Sequence, residues 1–317
     1  MKRKIFLLIL ILCAVFAVSL FTGPTPINPF TARGVEREIL LQIRLPRVMV
    51  AAMIGMALGS SGAVLQGILR NPLADPYILG LSSGAALTAS AGLLFGLGTL
   101  ATPVSAFIGA SATGALVGVM GARRGGIWPE RLLLAGIGLG FLFSALLMLL
   151  MSVSRDEGLR RTILWMFGDL SMAEWSLIPY GLVFIASGIL LAFFRAKALN
   201  GLMLGDDLAH SLGFSPARER LMLFSAVCLM TAASVSIGGM IGFIGLLMPH
   251  IARFLVGSDN RALIPSSAIG GACLLIISDL IGRSILSPVE LPSGIVTAII
   301  GAPYFLYLLG KKEMLHG

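Results

Sequence analysis

No charged residue interrupts the chain between Arg47 and Arg70. Coiled as a helix rising about 1.5 Å per residue, the run 48–69 is roughly 33 Å long, close to the hydrocarbon thickness of a bilayer. Its two flanks differ in kind. Arg44-Leu45-Pro46-Arg47 precedes it, and Arg70-Asn71-Pro72-Leu73-Ala74-Asp75-Pro76 follows it. A charged edge, a membrane-length apolar helix and a stiff polar loop therefore occupy one unbroken segment. That order suits a membrane conduit docked on one side and closed on the other, and no soluble domain requires it.

The rest of the chain repeats the theme. It is 57% hydrophobic and 12% charged, whereas a soluble domain carries about a quarter charged residues. So few charges cannot cover a globular surface in water, so lipid must cover most of it. Apolar runs of spanning length predict ten membrane helices, near 5–21, 48–69, 77–96, 103–121, 132–153, 177–194, 221–237, 240–255, 263–281 and 294–309. Residues 77–122 carry no charge at all. That stretch is too long for one span, and the punctuation at 96–103 divides it. The eighth span is the shortest. Backbone groups in lipid must be satisfied within their own segment, so the expected class is an all-α membrane protein. Residues 1–317 form a single transmembrane domain in this reading. The run after Met1-Lys2-Arg3-Lys4 resembles a signal peptide with Val15-Phe16-Ala17 as its cleavage site, but is longer than a usual signal core. A retained first helix is the preferred reading.

With the N-terminus cytoplasmic, fifteen of the 23 Lys and Arg residues fall in inner segments, Lys311 and Lys312 among them, and Arg155 falls outside. This is the expected positive-inside bias. The net charge of +8 is then a topology signal. Basic residues interleaved with aromatics are lacking, so nucleic acid is not an expected partner. Cys13, Cys228 and Cys273 lie in apolar spans without C-x-x-C spacing and are expected to be small buried hydrophobes.

Gly55 and Gly59, Gly114 and Gly118, and Gly136 and Gly140 are spaced G-x-x-x-G, which predicts close helix packing. The chain holds no G-x-x-x-x-G-K-[ST]; Gly310-Lys311-Lys312 lacks the Ser or Thr. It therefore has no phosphate cradle of its own, and ATP-driven transport would require another subunit. His250 is expected to be structural, and His210 and His316 have no partner spacing. No catalytic motif or intramembrane acid pair is present, so neither enzymatic chemistry nor ion coupling is favoured. Neither a catalytic residue nor a metal ligand is expected.

Three polar segments are long enough to carry a function. Residues 22–47 and 154–176 lie outside, and 195–220 inside. In the third, Gly205 interrupts two helical pieces. Asp206 and Asp207 are placed at a helix N-terminus, where carboxylates suit the dipole. Gly213 can close that helix in a left-handed cap, and Pro216 can open the next. The segment is either an ordered connector or an amphipathic helix pushed on by a partner. Arg44 and Arg47 are either interfacial anchors or docking residues. Asp279 and Arg283, four apart, can pair within one helix. The rigid Asn71-Pro72 turn either connects two spans or closes an inner mouth.

Taken together, 44–83, 165–170, 199–213, Gly242-Phe243-Ile244-Gly245-Leu246-Leu247-Met248-Pro249-His250-Ile251-Ala252-Arg253 and 290–303 resemble the FecCD-type permeases, the membrane subunits of ATP-binding-cassette importers for iron–siderophores, haem and vitamin B12. The resemblance runs through the whole chain and departs locally at Gly168-Asp169-Leu170. It implies ten helices with both termini cytoplasmic in the inner membrane. A second permease subunit, usually an identical copy, completes the path. Two cytoplasmic ATPase subunits carrying ATP and Mg, and a periplasmic or lipid-anchored substrate-binding protein, complete the assembly. The resemblance further implies that Arg44, Arg47 and Arg283 face glutamates of the binding protein. Asn71 and Leu73 fall in the inner gate. Leu204, Gly205, Asp206, Asp207, Ala209, Ser211, Leu212 and Gly213 fall in the segment that fits the ATPase. The alternatives are an ion-coupled secondary transporter, a membrane-embedded enzyme and a structural membrane subunit.

Overall fold

The computed structural model describes residues 2–23, 27, 32–95, 101–123, 126–154 and 156–310. Arg124, Arg155, Lys311, Lys312, His316 and part of the 96–103 punctuation lie outside the described residues. Among the described residues, fourteen α-helices run in the order α1 Lys2–Phe21, α2 Val35–Glu38, α3 Leu45–Leu69, α4 Leu81–Leu94, α5 Ala101–Gly121, α6 Pro129–Ser152, α7 Asp156–Met166, α8 Leu177–Phe194, α9 Ala196–Leu204, α10 Asp206–Ser211, α11 Pro216–Gly238, α12 Ile244–Val256, α13 Asn260–Ser284 and α14 Ser293–Gly310. Seven helical stretches are long and apolar enough to cross a membrane, and three shorter apolar helices, Leu81–Leu94, Ile244–Val256 and Ser293–Tyr307, accompany them. These correspond to the ten expected spans. A strand pair, Ala122–Arg123 with Gly126–Ile127, is a small addition to the all-α expectation, set in the turn between α5 and α6.

The apolar run after Arg47 becomes the centre of the molecule. Of the best spanning window in Val35–Leu69, 89% is buried, against 6% for α1. Helix α3 packs most extensively on α13, and also on α11, α12 and α8. Glycine makes this possible. A Cβ at Gly55 would lie 2.3 Å from the Gly271 carbonyl oxygen, one at Gly59 2.1 Å from that of Ser267, and one at Gly62 1.8 Å from that of Gly245. Backbones thus touch where side chains would hold them apart. The pairs in α5 and α6 serve the same end: Gly114 and Gly118 receive Cys228 and Phe224, and Gly136 and Gly140 receive the backbone of Leu79 and Gly80. Helices α4, α5 and α6 form a second group, joined to the first through α11.

Several boundaries depart from expectation. The helix ending at Leu69 begins at Val35 rather than near Val48, and reaches α3 through a π-helical stretch, Ile39–Arg44. Pro46 accounts for the widening. Its ring crowds the carbonyl four residues back and it has no N–H to donate. In the wider register the Leu41 carbonyl would look to residue 46, and the Trp175 indole N–H donates to it instead at 3.0 Å. The third span starts at Leu81, after a 3-10 turn Pro76–Leu79 and a left-handed Gly80. The eighth starts at Ile244 because Gly239 and Phe243 both have positive φ. The interrupted backbone there is partly satisfied by the Tyr77 hydroxyl, which accepts from the Ile241 N–H at 3.0 Å. The polar stretch after Ser154 contains a helix, α7, that its composition does not announce. Cys13 is exposed, contrary to expectation, because α1 lies at the edge of the bundle; Cys228 and Cys273 are half-buried.

Candidate functional site

The candidate residues gather at the two ends of α3, and each end is tied to distant parts of the chain. At the Arg44 end, two guanidinium groups cap the C-terminus of α1, whose last carbonyls have no partner within their own helix. Arg44 donates from Nη1 to the carbonyls of Leu20 and Phe21 at 3.3 Å. Arg283 donates from Nη2 to the Ser19 hydroxyl at 2.8 Å and to the Ser19 carbonyl. Positive charge also suits the negative end of a helix dipole. Arg47 pairs in two directions, from Nε to Asp279 at 3.0 Å and from Nη1 to Glu290 at 2.7 Å. Asp279 further faces Arg283 at 3.6 Å and accepts from the Ser293 hydroxyl at 3.0 Å. The expected pair within α13 is therefore present, but it is one edge of a larger network. All three arginines are buried, as is Asp279, while Glu290 stays partly exposed. The structure brings Arg44, Arg47 and Arg283 together, with internal partners for each.

At the other end, Arg70 closes α3 in the left-handed region, with φ 49° and ψ 36°. Its guanidinium reaches the segment expected to meet an ATPase. Nε donates to the Leu202 carbonyl at 2.9 Å, and Nη2 pairs with Asp206 at 2.9 Å. Arg220 holds the second oxygen of Asp206 from Nη1 at 2.7 Å. The Arg220 hydrogen bonds, and the nearby Arg70 charge, hold the Asp206 carboxyl below its ordinary value against its partial burial. Nearby, Asn200 donates to Asp259 at 2.8 Å and accepts from the Asn260 side chain at 2.7 Å. Hydrogen bonds from Arg261, then from Asn200, bring the Asp259 carboxyl down to about 2.

The Asn71–Asp75 turn is self-braced. The Asn71 side chain accepts from the Leu73 N–H at 2.9 Å, and Asp75 accepts from the Tyr77 N–H at 2.9 Å. Burial pushes the Asp75 carboxyl up to about 6, partly offset by that N–H. Gln66, itself buried, donates to the carbonyls of Ala74 at 3.3 Å and Gly245 at 3.2 Å, tying the turn to α12. Leu73 is exposed at its tip.

The segment 195–220 folds as expected. Gly205, at φ 128°, separates α9 from α10; Asp206 and Asp207 open α10. Gly213, at φ 84°, closes it: its N–H bonds the His210 carbonyl at 2.9 Å and the Phe214 N–H bonds that of Ala209 at 3.0 Å, a Schellman cap. Ala209 is buried behind the helix, and Ser211 is exposed. Leu208 and Leu212, four apart on α10 and its cap, are exposed, and so is Leu204 at the end of α9. Exposed leucines on a polar end of the molecule mark a contact surface. Leu208, Arg70 and Arg220 belong to this site, although the sequence does not single them out. The fourfold Leu spacing was the available signal for the first; a carbonyl partner 132 residues away leaves none for Arg70. His250 stacks edge-on against Phe254, with ring centroids 4.9 Å apart, a packing role. Among the described residues, no three His, Cys, Asp or Glu side chains converge as a metal site.

Comparison with known proteins follows the same end-to-end pattern. The profile of the FecCD transport family matches residues 6–311. The Hemin transport system permease protein HmuU of Yersinia pestis is 42% identical over 286 residues, 87% of this chain and 84% of its own. The Vitamin B12 import system permease protein BtuC of Vibrio cholerae is 39% identical over 317 residues, 98% of this chain and 95% of its own. A solved inward-facing structure, assigned to the metal-chelate type of ABC transporter, superposes with a TM-score of 0.91 at 33% identity, covering 98% of this chain and 100% of that one. Matched nearly from end to end by that profile and by proteins of both kinds of import system, this chain belongs to the FecCD transport family.

Proposed function

We propose that this chain is the membrane permease subunit of an ATP-binding-cassette importer, carrying a metal chelate of the iron–siderophore, haem or cobalamin class into the cytoplasm. The observation that carries this reading is the set of exposed leucines, Leu208 and Leu212 on α10 and its cap with Leu204 at the end of α9, at the polar end of a bundle that has no phosphate-binding loop. Two soluble ATPase subunits, with their ATP and Mg, seat against it. A second copy of the chain completes the path, and both termini face the cytoplasm across the inner membrane.

In this mechanism nucleotide binding draws the ATPases together and displaces the α9–α10 segment. The bundle converts that displacement into closure of one mouth and opening of the other. The turn carrying Asn71 and Leu73 is the inner gate. Arg44, Arg47 and Arg283 mark the face where a substrate-binding protein docks, and its carboxylates compete with Glu290 for Arg47. Affinity for the chelate resides in that external protein.

The decisive experiment is reconstitution in sealed vesicles with the cognate ATPase and binding protein, followed by identification of the ligand that copurifies with the latter. Uptake should require ATP and both partners. Concentrative uptake by the permease alone, driven by an ion gradient, defeats the proposal.

A further inference from the structure

A push on α10 needs a physical carrier to reach the gate turn. We propose that Arg70 is that carrier, a positioning residue whose guanidinium locks the coupling segment to the first residue of the gate. The inference rests on the coupling role assigned to α9 and α10.

Three observations support it. First, Arg70 occupies a left-handed helix end, a place where glycine has no steric cost and other residues are strained by roughly 1–2 kcal/mol. A long side chain kept there against that strain does something glycine could not. Second, that side chain spans the Gly205 break. Its Nε holds the Leu202 carbonyl near the end of α9, and its Nη2 holds Asp206 at the start of α10. A guanidinium is a rigid planar fork, so neither helix can shift without moving Arg70 or breaking a bond. Third, the backbone on the far side is stiff. The Asn71 N–H returns to the Gln66 carbonyl at 3.1 Å, and the Ala74 N–H to that of Asn71 at 3.1 Å. With the Asn71–Leu73 bond, displacement of Arg70 carries the tip at Leu73 with it. Gln66 anchors the far end of the turn to α12, so the turn pivots rather than translates.

The pair is poorly suited to a purely stabilising role. Arg70 and Asp206 are each nearly half exposed, and ion pairs at that exposure contribute little to stability. Arg220, which is buried, is the better anchor of Asp206 to the bundle; Arg70 adds the connection to the gate.

The test uses the assembled transporter in proteoliposomes. Arg70→Gln should lower uptake per ATP hydrolysed at least fivefold. A gate reporter, Leu73→Cys labelled by a water-soluble maleimide, should change its labelling rate on nucleotide binding in an otherwise native chain. That response should disappear when Arg70→Gln is added. Unchanged uptake per ATP, or a preserved labelling response, overturns the inference. If Arg70→Gln does not assemble, Arg70→Lys carries the same test, because it keeps the charge but cannot reach both acceptors; unchanged coupling in it is again decisive against. A Gly205→Pro variant separates the two levels. Normal uptake in it removes the coupling role of α10 altogether. Impaired uptake in it together with normal coupling in the Arg70 variants removes only the role of Arg70.

Discussion

Arg47 lies 3.0 Å from Asp279 across the contact between α3 and α13, and both side chains are buried. The pair fixes the register of two central helices at the Arg44 end of α3, where Ser293 and Arg283 complete the environment of the carboxylate. Losing one partner from such a pair leaves an uncompensated buried charge, which costs about 3–5 kcal/mol. Asp279→Asn is therefore expected to destabilise the purified protein by that order. Glu290, being partly exposed, should cost about 1 kcal/mol or less as Glu290→Gln. Thermal unfolding in detergent compares the two; equal losses would contradict the hierarchy.

The same geometry sharpens the docking test. Charge reversal at Arg47 would damage the fold before it reported on a partner. Glu290→Gln instead removes an internal competitor and leaves Asp279 in place. It should tighten binding-protein association several-fold at low salt, with the gain shrinking as screening rises. Titration at two ionic strengths reads this directly, and no change at low salt removes Arg47 from the docking face.

Glycine at the α3 contacts has a graded prediction. Gly62→Ala places a methyl group 1.8 Å from the Gly245 carbonyl oxygen, so α3 and α12 must separate. Overpacking of this kind costs about 1–3 kcal/mol, and the upper end is expected because backbone cannot rotate away. Gly140→Ala meets its nearest neighbour at 3.6 Å and should stay within about 1 kcal/mol of the parent, since alanine also favours the helix. Chemical denaturation of the two variants distinguishes them.

Asp75 gives a pH signature. Its carboxyl, pushed up to about 6 by burial, stays protonated in the folded state at pH values where the unfolded chain, near 3.9, has released the proton. Stability from this group is full below about pH 4, falls as pH rises through about 6, and is then flat. Asp75→Asn keeps an acceptor for the Tyr77 N–H and removes the charge. It should raise stability by about 3 kcal/mol at pH 7 and flatten the pH profile between 4 and 6. A variant less stable than the parent at pH 7 would contradict this.

Gly213 holds the end of α10 at φ 84°. Gly213→Ala should loosen that helix by about 1 kcal/mol, seen as faster amide exchange confined to Asp206–Ser211 with little change in global unfolding. Exchange unaltered there would show that the cap is not what holds α10.

The spans were readable because lipid leaves the backbone one local solution. Leu177–Phe194 is helical over the residues its hydropathy marks. The α10 signals were equally local: glycines at both ends and carboxylates in the first turn. What stayed hidden was of two kinds. Polar helix was one, since Glu36, Arg37 and Glu38 look like loop until Pro46 and Trp175 explain the turn that joins them to α3. Long-range pairing was the other. Asp279 was visible to Arg283 at four residues' distance but not to Arg47 at 232, and Arg70 bonds the Leu202 carbonyl and the Asp206 carboxylate at 132 and 136 residues' distance.

The π-helical stretch Ile39–Arg44 behaves as one residue added to an otherwise ordinary helix. Each α-helical residue turns the axis by about 100°, so deleting a single position there would swing the Val35–Glu38 arm around by about that angle while every contact below Arg47 stayed in phase. Such a swing would cost the Trp175 bond to Leu41 but leave the helices below Arg47 in register, which gives the arm a freedom of aim that the bundle beneath it is denied.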